Sequence, residues 1–181
     1  MDPKRLVHIS KYLSKHLRHE PERLGLQLEP GGWVRVDDLL AACAAARFPL
    51  TPAELDEVVT KNDKQRFSFD PSKTRIRANQ GHSTPVDLQL EAVPPPDILY
   101  HGTPAGSVDA ILRDGLKRMA RHHVHLSATP ATAETVGKRR GRPVVLVVDA
   151  AAMCRDGFVF YCSVNGVWLT DLVPAKYMRR L

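Results

Sequence analysis

Lys15, His16, Leu17, Arg18, His19, Glu20 and Pro21 make up the stretch around which the rest of the chain can be read. Pro21 disfavours a helical conformation at Glu20, so a helix beginning near Pro3 is expected to stop there. At about 100° per residue, Leu6, Ile9, Leu13 and Leu17 share one arc, and Lys4, Lys11, Lys15 and Arg18 share the opposite one. One face is built for a core and the other is cationic, with His8 and His19 flanking it. The helix therefore ends by presenting Arg18 and His19 side by side, at the edge of a surface suited to an anion. A charge stripe by itself equally describes a solvated helix face.

Beyond this helix, Leu24, Leu26 and Leu28 alternate as a short strand would, and Pro30, Gly31 and Gly32 turn the chain into a strand over Trp33, Val34, Arg35 and Val36. Asp37 is expected to cap a helix carrying Leu39, Leu40 and an alanine run to Ala46. Thr51, Pro52, Ala53 and Glu54 form a capping box with proline at the first helical position. That next helix turns Leu55, Val58 and Val59 inward and ends at Asn62 and Asp63. Phe67 with Phe69, and then Ile76, predict two strands joined by the turn Asp70, Pro71, Ser72. Helices followed by a two-stranded wing suggest a winged helix, a fold common among nucleic-acid binders without guaranteeing that role. Arg66 enters the wing through a tight connection and is a second candidate anion clamp; pairing with Asp63 or Glu57 is the plain alternative. Arg77, Ala78, Asn79, Gln80, Gly81, His82 and Ser83 form a polar run with neither helical nor strand periodicity.

The chain has 181 residues, a formal net charge of +6 and enough apolar content to bury a core. The basic balance suits a polyanionic partner as well as a merely soluble protein. Cys43, Cys154 and Cys162 are odd in number and lack C-x-x-C spacing, so neither a disulfide framework nor a thiolate zinc site is indicated. No apolar run approaches the about 20 residues of a spanning helix, and no signal core is evident near Met1. A cytoplasmic protein without a membrane partner is expected.

Val86, Leu88 and Leu90, followed by Pro94, Pro95 and Pro96, read as an extended, stiff segment. This places a lobe at 1–83, a linker at 84–96 and a second lobe at 97–181. The second lobe reads as short strands: Ile98 to His101, Val124 to Ser127, Val144 to Val148, Phe158 to Ser163 and Val167 to Thr170, with Asn165 and Gly166 as a hairpin turn. Short helices fit around Val108, Ile111 and Leu112, and after Thr129 as cap with Pro130. The fold class is thus α+β. Gly102, at the end of a strand beside Tyr100, His101 and Thr103, would let a ligand approach the backbone. His122, His123 and His125 raise a metal site, but no third ligand of suitable spacing accompanies them and none is expected. Neither a dinucleotide glycine fingerprint after a strand nor a Walker sequence is present.

Together these segments resemble the NAD-dependent RNA 2′-phosphotransferase family, the enzymes that remove the splice-junction 2′-phosphate in tRNA splicing. The resemblance runs through Leu17, Arg18, His19, Pro21 and Leu24 to Leu26; Gly32, Trp33, Val34; Asn62, Asp63, Lys64, Arg66, Phe67; and Arg77 to Ser83. It continues through Tyr100 to Thr103; Gly115, Leu116; His123 to Ser127; Val136, Gly137, Arg139; and Asn165 to Leu169 before Val173 and Pro174. It implies an N-terminal winged-helix RNA lobe and a C-terminal mixed β lobe similar to ADP-ribosyltransferases.

Carried over residue by residue, the resemblance gives Arg18, His19, Arg66 and Arg139 as catalytic. It implies NAD contacts at His101, Gly102, Thr103, Ser107, Gly115, Leu116, His125, Leu126, Ser127 and Val167, and RNA contacts at Lys11, Lys15, Arg77, Asn79, Gln80 and His82. His101, His125 and Val167 look like the equivalents of the histidine, tyrosine and glutamate that mark the NAD site of ADP-ribosyltransferases. A carboxylate serves a neutral acceptor, whereas a phosphate is already an anionic nucleophile that a carboxylate would repel. The implied reaction moves an internal RNA 2′-phosphate onto NAD through a 2′-phospho-ADP-ribosylated RNA, with NAD as co-substrate, no metal, and a tRNA-like partner; the protein would be monomeric. The alternatives are an ADP-ribosyltransferase acting on terminal phosphates of nucleic acid and a non-catalytic RNA-binding protein.

Overall fold

The computed structural model describes residues 1–62, 64–138 and 141–181 and divides into two compact units, Met1–Gln89 and Leu90–Leu181. The fold is α+β. None of the described helices is long and apolar enough to cross a membrane.

The first unit opens with α1, Pro3–Arg18, whose N-terminus is capped by the Asp2 carboxylate accepting from the Arg5 amide at 3.1 Å. Pro21 ends it as expected: His19 is the C-cap, and a 3-10 turn over Pro21–Leu24 follows. Ile9, Leu13 and Leu17 are fully buried, while Lys4, Lys11 and Lys15 are exposed. The strand expected over Leu24, Leu26 and Leu28 does not form. Leu24 closes the 3-10 turn and Gly25, at φ +65°, reverses the chain, so the leucines reach the core without a strand partner.

Trp33–Arg35 is β1, and α2 runs over Val36–Ala45. Its cap is Arg35 with no side-chain bond, not Asp37, which lies in the first turn where a carboxylate still meets the positive helix end. The capping box of α3, Pro52–Lys61, is present: Thr51 Oγ1 accepts from the Glu54 amide at 3.2 Å, and the Thr51 amide donates to Glu54 Oε2 at 3.0 Å. β2, Phe67–Phe69, and β3, Arg75–Ala78, form the hairpin, with Asp70 accepting from Ser72 Oγ and from the Arg75 amide in the turn. The antiparallel order is β1-β3-β2. Val34, Ile76 and Phe67 enter the core beneath α1, while Trp33, Arg35, Arg75 and Arg77 line the other face.

Residues 79–89 return to the start of the domain instead of leaving it. The Ser83 and Thr84 amides donate to the Arg18 carbonyl at 2.9 and 3.2 Å, the Gly31 amide donates to the Asp87 carbonyl at 2.7 Å, and Leu88 is buried. The segment expected to be a linker is therefore shared between the two units, with the division at Gln89 and Leu90.

In the second unit β4 (Ile98–Pro104) pairs antiparallel with β7 (Pro143–Asp149), which also pairs with β11 (Met178–Arg180). A second sheet has the order β6 (Val124–Leu126), β9 (Trp168–Thr170), β8 (Tyr161–Cys162). The bridge between Tyr100 and Ser127 connects the two. β5 (Leu116–Lys117) pairs with β10 (Leu172–Val173). The helices are α4, Val108–Asp114, α5, Pro130–Gly137, and α6, Ala150–Arg155. Thr129 caps α5 through its hydroxyl, and Asp149 caps α6, a helix the sequence reading did not anticipate. Leu99, Leu126, Val148, Met153, Phe160 and Val173 form the core.

Candidate active site

Two clusters of candidate residues lie one in each unit. In the first, the end of α1 is fixed by the returning chain. With the Arg18 carbonyl taken by the Ser83 and Thr84 amides, the peptide joining Arg18 to His19 is held in place. His19 Nδ1 lies 2.8 Å from Ser83 Oγ, and Arg18 Nη2 donates to the Arg66 carbonyl at 3.4 Å. Arg18 and Arg66, far apart in sequence, are thus brought into contact, and His19 leaves the same turn as Arg18.

Arg66 is held from both ends. Its guanidinium Nη1 donates to Ser10 Oγ at 2.9 Å, and its carbonyl accepts from the Asn79 amide at 2.9 Å. Glu57 binds the N-terminal amine and Lys61, and Asp63, the other expected partner of Arg66, lies outside the described residues. Ser10 Oγ also accepts from Asn62 Nδ2 at 2.6 Å, and Asn62 Oδ1 accepts from the Lys64 amide at 3.0 Å. Asn79 Nδ2 donates to the Gln65 carbonyl at 2.7 Å, fastening a residue whose φ of +39° is strained for a side chain other than glycine. A planar cation offered from a braced loop is suited to an anion with several oxygens, because fewer degrees of freedom are lost when the anion binds.

The residues expected to touch RNA fall into two groups. Lys11 is exposed; Lys15 is exposed too, but its ammonium lies 3.3 Å from Glu20, which also pairs with Arg23 at 2.9 Å. Arg77 packs over Trp33, 4.5 Å from the ring centroid, and burial pushes its pKa down from the usual range, although a guanidinium remains charged. Gln80 is half-buried, whereas Asn79 and His82 are buried, His82 completely. The Asn79 side chain holds the site's shape from inside through its bond to the Gln65 carbonyl.

In the second unit His101 Nδ1 lies 3.0 Å from the His125 carbonyl. A carbonyl only accepts, so Nδ1 carries the hydrogen and the neutral ring keeps a lone pair on Nε2. Burial pushes the His101 pKa down; the bond to His125 opposes this and the Arg121 charge adds to it. The Tyr100 and Ser127 backbones exchange hydrogen bonds of 2.9 and 2.7 Å beside it. Gly102 has a packing reason as well: a Cβ there would lie 1.6 Å from the Ala133 carbonyl oxygen of α5. Thr103, Leu116 and Leu126 are buried, which leaves the two leucines only their backbones to offer a ligand. Ser107 precedes α4 and Gly115 ends it at φ +82°, where a Cβ would meet the Val173 carbonyl at 2.8 Å. Val167 lies in the turn before β9, bonded to Ser163 through its amide and carbonyl. Arg139 lies outside the described residues. His123 faces Asp171 at 4.0 Å and packs on the edge of Tyr161. Among the described residues no three of histidine, cysteine, aspartate and glutamate gather as a metal site.

Sequence reasoning missed Ser10 and assigned no role of its own to Ser83. Ser10 carried a signal, since it falls at the edge of the apolar arc, next to Leu17, where a polar side chain is costly unless bonded. Ser83 carried none.

A family model described as "RNA 2′-phosphotransferase, Tpt1 / KptA family" matches residues 4–172. The chain belongs to that family. It is 60% identical over 181 residues to a probable RNA 2′-phosphotransferase of Nostoc punctiforme and 61% identical over 181 residues to that of Trichormus variabilis, with each chain covered completely. A probable RNA 2′-phosphotransferase of Streptomyces coelicolor is 59% identical over 179 residues, 99% of this chain and 97% of its own. The stretches of this chain that carry the family resemblance, from Leu17 to Pro174, lie almost wholly within the matched residues.

Proposed function

We propose that this chain is an NAD-dependent RNA 2′-phosphotransferase that moves an internal RNA 2′-phosphate onto NAD. The single observation that carries this reading is the juxtaposition in the first unit of Arg18, His19 and Arg66, cationic or protonatable groups held in place by hydrogen bonds to Ser10, Ser83 and the Arg66 carbonyl. In this reading the first unit is a winged-helix RNA lobe and the second resembles an ADP-ribosyltransferase. The second unit's side chains suit a dinucleotide's ribose: His101, neutral and hydrogenated at Nδ1, presents at Nε2 an acceptor for a hydroxyl. Bound NAD would supply an electrophilic ribose carbon, C1″, bearing a positively charged leaving group.

A 2′-phosphate oxygen attacks C1″ as the bond from C1″ to the pyridinium nitrogen breaks, and nicotinamide departs neutral. This step needs alignment more than acid catalysis, and arginines fixed by their neighbours supply alignment. The 2″-hydroxyl of the 2′-phospho-ADP-ribosylated RNA then attacks phosphorus. The bond from phosphorus to the RNA 2′-oxygen breaks, and a proton equivalent passes from the 2″-hydroxyl to the departing 2′-oxygen. The products are 2′-OH RNA and ADP-ribose 1″,2″-cyclic phosphate. Negative charge gathers on the phosphoryl oxygens here, so the fixed cations of Arg18 and Arg66 stabilise this step most. Arg139 is assigned to the same task, and His19 to donating a hydrogen bond or a proton.

The test is an oligonucleotide carrying one labelled internal 2′-phosphate, incubated with and without NAD. The expected outcome is label in ADP-ribose 1″,2″-cyclic phosphate, with one nicotinamide per phosphate moved, and no reaction without NAD. Label released as inorganic phosphate in the absence of NAD overturns the proposal.

A further inference from the structure

Ser10 sits on the core side of α1 with only 1% of its surface exposed, among Ile9, Leu13 and Leu17. A serine there is disfavoured unless its oxygen is used, and an aliphatic residue would fill the same arc more cheaply. Its oxygen is used twice, by donors from two different parts of the chain. Asn62 Nδ2 donates at 2.6 Å and Arg66 Nη1 at 2.9 Å, so both of its acceptor positions serve the loop that carries Arg66. Asn62, itself buried, spends its other side-chain atom on the Lys64 amide, which closes the bracket around that loop.

We propose that Ser10 is a positioning residue for Arg66, acting with Asn62: it sets the direction and plane of the guanidinium before a phosphate arrives. A guanidinium is planar, so fixing one terminal nitrogen restricts where the remaining donors point. A serine hydroxyl does this without adding a charge of its own, whereas an aspartate at the same place would set a negative charge against the guanidinium. The same helix that presents Arg18 and His19 at its end thereby also aims Arg66, and the relative placement of the three depends on one rigid element. This inference rests on the proposed function, because the anion in question is the RNA 2′-phosphate.

The test is a double-mutant cycle in the full chain, using oligonucleotides that differ only in one internal 2′-phosphate or 2′-hydroxyl. The first readout is the ratio of affinities for the pair, and the second is kcat and the KM for NAD. Ser10→Ala is expected to lower the affinity ratio by about 10-fold, the size of one charge-assisted bond, to lower kcat, and to leave the KM for NAD unchanged. In an Arg66→Ala background the same substitution should cost nothing further. Ser10→Cys, of similar size and with a poor acceptor, provides the same comparison if the alanine variant does not fold. Equal losses in both backgrounds overturn the proposal, as does a folded Ser10 variant with the wild-type ratio while Arg66→Ala loses it. Wild-type protein that does not distinguish the two oligonucleotides overturns the proposed function itself, a different and separately recognisable result.

Discussion

His19 Nδ1 lies 2.8 Å from Ser83 Oγ, and this is a different kind of partnership from that of His101 with the His125 carbonyl. A hydroxyl both donates and accepts, so Ser83 can satisfy Nδ1 whether or not that nitrogen bears a hydrogen. His19 can therefore carry a hydrogen on Nε2 in its neutral as well as its charged form. His101, fixed by a carbonyl, is an Nε2 acceptor whenever it is neutral. In the proposed function one histidine meets a phosphate and the other a hydroxyl. Ser83→Ala should lower turnover about 5-fold, the effect of one neutral hydrogen bond, and leave the fold unchanged because the Ser83 amide still holds the Arg18 carbonyl. Ser83→Thr should restore it. Steady-state rates of the two variants, with thermal melts as control, check this; an alanine variant at the wild-type rate rejects it.

Single replacement of Arg18, His19, Arg66 or Arg139 by alanine should cut turnover by roughly 30- to 1000-fold, from the loss of about 2 to 4 kcal/mol of charge stabilisation. His19 is exposed and the guanidinium tip of Arg18 donates to a backbone carbonyl, so melting temperatures should change little at these two positions. Arg66→Ala removes a donor from buried Ser10 and should also lower the melting temperature. Single-turnover rates and melts of the four variants separate the two effects. A doubly substituted Arg18→Ala, Arg66→Ala protein near the wild-type rate refutes the assignment.

The basic face of α1 should contribute unevenly to RNA binding. Lys11 is exposed and none of the described salt bridges involves it, whereas Lys15 lies 3.3 Å from Glu20. Lys11→Ala is expected to reduce the slope of log affinity against log salt by up to about one unit, as the loss of one phosphate contact does. Lys15→Ala should reduce it less. Salt titrations of binding to a tRNA-like RNA measure both, and an unchanged slope in the double variant shows a merely solvated face.

Local chemistry made parts of this structure readable in the sequence. The Thr51 and Glu54 box, Pro21 as a stop and the Phe67, Phe69 and Ile76 hairpin are each decided within a few residues. The leucines at 24, 26 and 28 misled because alternation shows which side is apolar, not whether a strand partner exists. Gly102 was legible only in part: a glycine announces a close approach, and one group that comes close there is the carbonyl of Ala133, far away in sequence. The cation cluster was legible as a set of residue types. What holds it was not, because Ser10 and Arg66 are 56 positions apart, and His19 and Ser83 are 64 apart. Partners at such separations leave no periodicity to read.

The last prediction concerns pH and the second unit. His101 and His123 both have pKa values held below the ordinary 6.5, each chiefly by burial. In the folded chain they bind protons less readily than in the unfolded chain, so protonation favours unfolding. Well above pH 6.5 neither state is protonated at these sites and their full contribution to stability is present. As the pH falls below that value the unfolded chain gains protons first, and stability declines until the folded-state pKa values are passed, where the decline levels off. His101 faces the His125 carbonyl and feels the Arg121 charge; His123 faces Asp171, whose carboxylate opposes the shift, and feels His122 and Arg118. The decline should therefore depend more on His101. Melting temperatures measured from pH 7.5 to pH 5 should fall for the wild type and fall less steeply for His101→Gln, whose amide can still donate to the His125 carbonyl but does not titrate. NAD affinity should start to fall only at the lower pH where His101 of the folded chain takes up a proton, because a protonated His101 loses the Nε2 lone pair offered to a hydroxyl. Identical pH slopes for wild type and His101→Gln, in both melting temperature and NAD affinity, would show that the buried imidazole of His101 governs neither.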